Sequence, residues 1–454
     1  MSELGVWMNG RRVAEWRQVR GGRDELRYDP GWIGDPHSRA LSLSLPMTAS
    51  VTITSPVVRN FFDNLLPDDP RIRERLRRRF STPSAGTFDL LAALGRDCVG
   101  AVQLLPAGEA PEGWDRIAAD RLTSRQVEAI LTSVPMATPL ALGAQEEDFR
   151  ISIAGGQEKT ALLRIGNAWY RPRGATPTSH ILKLPLGTVG GLRLDLSHSV
   201  DNEWLCSMIL RELGLPAAHS EVGRFGDQRV LVVERFDRRW QGIGTANPHS
   251  ARFKPPPKAW LARLPQEDFC QVEGLSHELK YESSGGPGIP QVLRILSRAQ
   301  RPAGDRRVFA LAQLAFWMLA AIDGHAKNFS IFHYRGGSYG LTPLYDVISA
   351  WPVIGHGPNK LALKKVKLAM ALRGSARPHY RLVEMHPRHF EEFAHSLGDP
   401  DAWPAMKRLA ERVPTAIARA EKHIPADFAP EIWSSITAGL RGQASAFLKY
   451  ASSG

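Results

Sequence analysis

At 454 residues the chain is too long for one simple core, so two or three domains of ordinary globular composition are expected. Its three cysteines, Cys98, Cys206 and Cys270, form no Cys-x-x-Cys pair and cluster with no histidine, which argues against a disulfide framework or a structural zinc site and fits a reducing cytoplasm. A formal charge of +12 and a pI near 9.8 suit acidic partners without choosing among nucleic acid, ATP and acidic protein, and the lack of a leader pattern or of an apolar run of about 18 residues predicts a protein neither exported nor membrane-spanning.

Residues 1 to about 105 mix short apolar strands at 41–45, 51–53 and 99–104 with helices around 59–66 and 88–94, the pattern of a compact α+β domain. The densest charge run, R-I-R-E-R-L-R-R-R-F at 71–80, sets Ile72, Leu76 and Phe80 on one helical stripe and predicts a basic outer face, either solvated or turned to an acidic partner. From 106 to about 145 the chain reads as a connector with one helix starting at the Thr123-Ser124 cap. R-I-S-I-A-G-G-Q-E-K-T-A-L-L-R-I-G (150–166) then reads as two strands joined by a glycine-containing turn, and H-I-L-K-L-P-L (180–186) as another strand. A helix over 201–213 with Asp201 as its N-cap, and strands at 218–224 and 229–236, complete the layout of a kinase N-lobe. Residues 240–261, rich in Gly, Pro and Lys, read as a flexible surface insertion, and beyond 264 nearly everything reads as helix.

The chemistry concentrates between Leu314 and Asp346. An apolar helix is expected to end at Asp323-Gly324, a loop supplies His325, Lys327 and Asn328, and two short strands lead to Asp346. Protein kinases place a catalytic base five residues before a metal-binding Asn and bring a second metal-binding Asp from the next hairpin, an order that Asp323, Asn328 and Asp346 reproduce. Lys183 sits inside an apolar strand, where a buried ammonium calls for an anionic partner, and Glu203 on the following helix is the candidate. Gly155 and Gly156 would let backbone N–H groups approach phosphates, although the loop matches neither G-x-G-x-x-G nor the Walker pattern, and a tight hairpin turn explains it equally. Glu234 and Phe236 end a strand where a hinge would offer backbone groups and an aromatic wall to adenine. His325 reads as a structural hydrogen-bonding group, and Lys327 as a phosphate contact or a solvated lysine. No G-x-S-x-G elbow or H-E-x-x-H motif supports a hydrolase.

With these residues in hand, the chain resembles the HipA family, the serine/threonine-kinase toxins of bacterial type II toxin–antitoxin modules. The resemblance rests on F-F-D-N-L-L-P-D (61–68), F-D-L-L-A-A-L-G-R-D-C-V-G-A (88–101), S-I-A-G-G-Q-E-K-T-A-L-L-R (152–164), H-I-L-K-L-P (180–185), S-V-D-N-E (199–203), V-E-R-F-D-R (233–238), R-L-P-Q-E-D (263–268), Y-E-S-S-G-G-P-G-I (281–289), D-G-H-A-K-N-F (323–329) and L-T-P-L-Y-D-V-I-S-A (341–350). It implies an α+β fold: a two-lobed protein-kinase-like core, with a mixed β N-lobe and a helical C-lobe, and an additional N-terminal α+β domain. The segments would be 1–145 for the N-terminal domain and connector, 146–262 for the N-lobe and 263–454 for the C-lobe.

The resemblance further implies Mg²⁺- and ATP-dependent phosphorylation of a protein serine, the family's best-known kind of target being an aminoacyl-tRNA synthetase, notably glutamyl-tRNA synthetase. Carried over by motif, Asp323 would be the catalytic base and Asn328 and Asp346 the Mg²⁺ ligands. Lys183, with Ala154, Gly155, Gly156, His325 and Lys327, would serve the phosphates, Glu203 would pair with Lys183, and Glu234 and Phe236 would meet the adenine. Ser152 matches the family's inactivating autophosphorylation site. A HipB-type helix-turn-helix antitoxin and, through it, operator DNA are the implied partners. The readings standing against this one are a lipid or small-molecule kinase and a non-catalytic DNA-associated co-repressor.

Overall fold

A computed structural model describes residues 2–19, 21–47, 52–135, 157–373 and 377–453, and the chain forms two compact units, each built from separated segments. The first comprises Met1–Leu184, Gly223–Glu278 and Ile331–Tyr339; the second comprises Pro185–Val222, Leu279–Ser330 and Gly340–Gly454.

The first unit opens with strands that the sequence reading passed over. Ser2–Met8, Arg11–Gln18 and Asp24–Tyr28 form an antiparallel meander, flanked by Thr52–Thr54 on one edge and Gln103–Pro106 on the other. The signal was present in Asn9-Gly10: both residues take positive φ (46° and 78°), as a two-residue hairpin turn requires, and Asn-Gly is the pair that tolerates this best. Val6, Met8, Val13, Trp16, Leu26 and Tyr28 point into one core, where Trp16 stacks on Phe62 at 4.2 Å and meets Phe88 edge-on. Those phenylalanines come from helices Pro56–Asp63 and Thr87–Leu94, the first starting three residues earlier than expected because Ser55 caps it and Pro56 fits its first turn. The strand expected at 41–45 is not formed. Only an isolated bridge joins Ser42 to Leu45, and the serine hydroxyls that mimic strand alternation both donate to the Gln271 carbonyl.

The basic run forms helix Pro70–Arg79 as expected, but its charge is largely spent within the protein. Arg71 pairs with Asp69, Arg73 with Asp63, Arg75 with Glu158, and Arg77 and Arg78 with Glu74.

A second sheet in this unit has the order Gln228–Glu234, His180–Lys183, Lys159–Ile165, Ala168–Pro172, Ala119–Leu122, with strand Ser220–Phe225, which enters the unit at Gly223, on its outer edge. Helix Ser124–Ser133 packs Val127, Ile130 and Leu131 against Leu162, Leu182 and Val232, and it begins at the expected cap, where Thr123 and Gln126 form a reciprocal capping box. The 240–261 insertion is a structured excursion: Arg238–Gln241 pairs with Trp260–Arg263 at its base, and buried Phe253 packs edge-on against Trp240 at 5.2 Å. Three apolar anchors, Trp240, Phe253 and Trp260, lie at irregular spacing and so escape a test for periodicity.

The second unit is mainly helical. Helix Pro302–Leu319 is buried on nearly every side of its second half and packs against helices Ile289–Leu296, Ala402–Glu411 and Pro430–Ala451. Helix Ser199–Glu212, read from the sequence together with N-lobe strands, belongs to this unit and packs on Val413–Glu421. Its N-cap position is His198, not Asp201, which lies in the first turn with its carboxylate buried and accepts from the Ala429 N–H at 3.4 Å. Among the described residues no helix is long and apolar enough to cross a membrane.

Candidate active site

Asp323, His325, Lys327, Asn328 and Asp346 fall in the second unit. The apolar helix that delivers them ends at Leu319, four residues before the expected break, with Ala320 in the left-handed conformation (φ 48°) as its cap. Alanine carries no breaker signal, and apolar residues run on to Ile322, so periodicity hid this end. The carbonyls freed at a helix terminus need partners. Here the Ser349 hydroxyl donates to Leu319 O at 2.6 Å and the Ala350 N–H to Ala320 O at 2.9 Å, which fastens the chain just beyond Asp346 to the helix end.

The loop from Asp323 to Asn328 closes on one carbonyl. Asp323 O accepts from the His325 N–H at 2.8 Å and from Asn328 Nδ2 at 2.7 Å. Because the Asn328 amide nitrogen is committed there, its Oδ1 is the atom left to act as an oxygen ligand. Gly324 is required by close approach: a Cβ at this position would lie 2.6 Å from the Phe316 ring. The Asp323 side chain is 59% exposed, and its Oδ1 accepts from the Tyr281 hydroxyl at 2.6 Å, while His325 Nε2 stands 3.9 Å from Oδ2. Tyr281 lies 42 residues upstream and was not singled out from the sequence except as part of a motif.

Asp346 follows the expected hairpin of Ser330–His333 and Tyr339–Leu341 and takes a positive φ of 59°. This conformation costs most L-residues strain, Asp and Asn least, and strain of this kind gathers at functional sites. The preceding Tyr345 donates its hydroxyl to Lys327 O at 2.8 Å, so Ser330 Oγ, 2.5 Å away, must be the donor to it. The loop of Asn328 and the loop of Asp346 are thereby tied through one side chain.

A second tie comes from helix Ser199–Glu212, where Asp201, Asn202 and Glu203 are all buried. Asn202 Nδ2 donates to Ser349 O and Asn202 Oδ1 accepts from the Ser349 N–H, both at 2.8 Å. Asn202→Ala would leave two buried backbone groups without these partners, at about 1–3 kcal/mol each. A loss of roughly 2–6 kcal/mol in chemical denaturation is the expected result; a loss below about 0.5 kcal/mol would show that the pair holds nothing in place.

Lys183, Glu234 and Phe236 fall in the first unit. Lys183 is buried on strand His180–Lys183, opposite Leu231, and Glu203 is buried in the second unit. In V-E-R-F-D-R at 233–238 the strand ends at Glu234 and a turn follows, closed by the Arg238 N–H on Arg235 O at 3.1 Å; Glu234 and Phe236 are partly exposed, whereas Arg235 and Asp237 are buried. Phe236 meets Phe332 edge-on at 5.8 Å, and Glu234 lies 3.5 Å from His249 of the 240–261 excursion. The buried side anchors a dense ion cluster that sequence reasoning missed. Asp97 receives Arg238 at 2.9 Å, Arg263 at 3.1 Å, Arg235 at 3.3 Å, and the Thr178 hydroxyl and N–H at 2.7 and 3.0 Å. Asp237 pairs with Arg235 and Arg238 and accepts from the Gly100 N–H at 2.7 Å. Ser152, Ala154, Gly155 and Gly156 lie outside the described residues.

Residues 151–423 match the family model of the HipA-like C-terminal domain, and residues 4–105 match that of the HipA N-terminal domain. The chain belongs to the HipA family. It is 31% identical over 429 residues to Y4mE of Sinorhizobium fredii, to which kinase activity is ascribed, covering 92% of this chain and 91% of that protein. It is 25% identical over 399 residues to the serine/threonine-protein kinase toxin HipA of Shewanella oneidensis, covering 85% of this chain and 82% of that one. The solved complex of HipA, HipB and operator DNA from S. oneidensis MR-1 contains a chain with the same fold: TM-score 0.76 at 22% identity, over 98% of this chain and 97% of that chain. The expected α+β, kinase-like fold with its N-terminal domain is borne out, and the chain is a HipA-family kinase.

Within this HipA-family site the donor set suits Mg²⁺. One Asp carboxylate and one Asn amide oxygen are hard ligands, and Mg²⁺ at kinase sites takes one or two protein oxygens and completes its shell from phosphates and water. Among the described residues no cluster of three or more His, Cys, Asp or Glu stands ready as a closed metal cage.

Proposed function

We propose that this HipA-family chain is an ATP-dependent protein serine/threonine kinase, the toxin of a HipA/HipB-type module, which phosphorylates an aminoacyl-tRNA synthetase resembling glutamyl-tRNA synthetase and so halts translation. The observation that carries the reading is the fastening of the two loops that bear Asp323, Asn328 and Asp346: Asn328 is held on the Asp323 carbonyl, Tyr281 on the Asp323 carboxylate, and the chain beside Asp346 is tied down by Tyr345 and by the Asn202–Ser349 pair. Phosphoryl transfer asks little covalent chemistry of a protein and much positioning. In this reading Asp323 orients the acceptor serine and takes its hydroxyl proton. Lys183 brings positive charge to the phosphates with Glu203 as its counter-ion, Ala154, Gly155 and Gly156 offer backbone N–H groups, and His325 and Lys327 add donors. Glu234 and Phe236 meet the adenine. Asn328 and Asp346 would hold Mg²⁺, which, when bound, supplies charge neutralisation on the phosphates.

Ser152 is the proposed self-modification site: a phosphate there adds about −1.5 to −2 charges beside the ATP phosphates and switches the enzyme off. Ser152→Ala is therefore expected to keep transferring phosphate to other proteins after the wild type has slowed; loss of all transfer in that variant would contradict the assignment. A HipB-type antitoxin, with operator DNA bound through it, is the proposed partner in the cytoplasm, supported by the shared fold with the HipA of the HipA–HipB–DNA complex and by the net charge of +12. The test of target is induced expression without antitoxin. Growth arrest, uncharged tRNA and a phosphoserine on a synthetase are expected, and a labelled lipid or metabolite with no phosphoprotein would replace the reading with a small-molecule kinase.

A further inference from the structure

The turn at 280–288 is locked far more tightly than a surface turn needs to be. Lys280 O accepts from the Ala326 N–H in the middle of the candidate catalytic loop at 3.1 Å. Tyr281 O accepts from the N–H groups of Ser284 and Gly286, both at 3.0 Å, and Gly286 cannot be replaced, because a Cβ there would lie 1.9 Å from Leu279 O. The Glu282 carboxylate, 5% exposed, accepts from the Ala371 N–H at 2.6 Å and from Arg373 at 2.8 Å, which ties the turn to strand Lys367–Arg373. Between these two fastenings the Tyr281 ring stands edge-on to His325, with centroids 5.1 Å apart at 85°, and the Lys280 ammonium lies 5.6 Å from its centroid. The ring is thus fixed from several sides, and its hydroxyl reaches Asp323 Oδ1 at 2.6 Å.

Asp323 needs such a partner. It sits on a loop with a 59% exposed side chain, and the hydrogen bonds that close the loop on it, from His325 and Asn328, go to its backbone carbonyl. An exposed carboxylate without a tether samples several rotamers, and the freedom it retains must be surrendered at the moment of reaction. A donor mounted on a rigid turn removes that freedom in advance: with Oδ1 held, Oδ2 has a fixed direction in which to accept a proton. A short hydrogen bond to an ionised carboxylate is also among the stronger neutral-to-charged contacts.

We propose that Tyr281 is a positioning residue for phosphoryl transfer, its hydroxyl holding the Asp323 carboxylate so that Oδ2 faces the acceptor hydroxyl. This rests on the kinase reading above, with Asp323 as the base. The tyrosine takes no proton and forms no bond to phosphorus. Its hydroxyl acts on the rate of the chemical step; the ring, which packs on His325, is the part left in place by the test below.

The test is Tyr281→Phe, which keeps the ring and its contacts with His325 and Lys280 and removes only the hydroxyl. The full-length protein is incubated with γ-labelled ATP and Mg²⁺, its own chain serving as acceptor, and labelling is followed across ATP concentrations alongside thermal denaturation. The expected result is a labelling rate at saturating ATP lowered about 10- to 100-fold, the scale of a misplaced catalytic group. The ATP concentration for half-maximal rate and the melting temperature stay as in the wild type. An unchanged rate, a change confined to the ATP dependence, or a variant that no longer folds would each overturn the assignment while leaving the kinase reading intact. A wild type that binds ATP and labels nothing would overturn the kinase reading, and this assignment with it.

Discussion

Asp323→Ala is expected to lower phosphoryl transfer by about 10²–10⁴-fold, the range for removing a positioned general base, with ATP binding and stability nearly unchanged. The selectivity of that loss follows from the geometry. What holds the loop together is the Asp323 carbonyl, which accepts from His325 and Asn328, and alanine retains it. The carboxylate is mostly exposed and touches Tyr281, so truncating it leaves no buried group without solvent and costs under about 1 kcal/mol of stability. The measurement is a comparison of rate, ATP affinity and melting temperature in one preparation. Transfer retained within about threefold would remove Asp323 from the chemistry, since a base worth so little would fall far below the usual range. A collapse of stability would make it a structural residue.

Asp97→Ala is expected to be the most damaging single change to the fold. Burial alone would push the Asp97 carboxyl up, but the guanidiniums of Arg238, Arg235 and Arg263, with the Thr178 hydroxyl, outweigh it and hold the group well below the usual carboxylate range. Removing this anion leaves Arg235 and Arg238 to share Asp237 and leaves buried Arg263 with no carboxylate partner among the described residues. Breaking a buried ion pair by deleting one partner costs about 3–5 kcal/mol, against a total stability of about 5–15 kcal/mol for a typical domain. Insoluble protein, or a denaturation midpoint lowered by an equivalent amount, is the expected outcome; a loss below about 1 kcal/mol would show that water or a bound anion can take the carboxylate's place. The pH dependence has a definite sign. A carboxyl whose folded pKa is depressed contributes stability that is present above its unfolded value near 4 and is lost as pH falls through the lower folded value, so the cluster should survive mild acid and fail only at strongly acidic pH. If Glu234 and Phe236 meet the adenine as proposed, the effect reaches function too, because buried Arg235 and Asp237 fix the segment that carries them.

How far the sequence could be read depended on how local each signal was. Asp323, Asn328 and Asp346 could be picked out as candidates because their order and the interval of five residues are set by one loop and one hairpin. The Thr123 cap was legible because both partners of a capping box lie within one turn. Asp97 with Arg235, Arg238 and Arg263 was not: the partners lie 138 to 166 residues apart, and an Arg next to an Asp in V-E-R-F-D-R looks like an ordinary polar strand end. Asn202 with Ser349, 147 residues apart, failed for the same reason. Local reading also failed where a residue behaves against its type. Ala320 ends a helix in the left-handed conformation, Ser42 and Ser44 imitate strand alternation while bonding a distant carbonyl, and the 240–261 excursion hides its aromatic anchors among Gly, Pro and Lys. Asn9-Gly10 is a different case: the turn signal was local and strong, and the first two strands could have been inferred from it.

The account stands most directly on whether the chain moves phosphate from ATP to a serine. Purified wild-type protein with γ-labelled ATP and Mg²⁺, with the products mapped by mass spectrometry, should carry label on serine, Ser152 first, and should lose it when the metal is chelated. Wild-type protein that binds ATP but labels neither itself nor any protein in a cell extract, with or without Mg²⁺, would contradict the account.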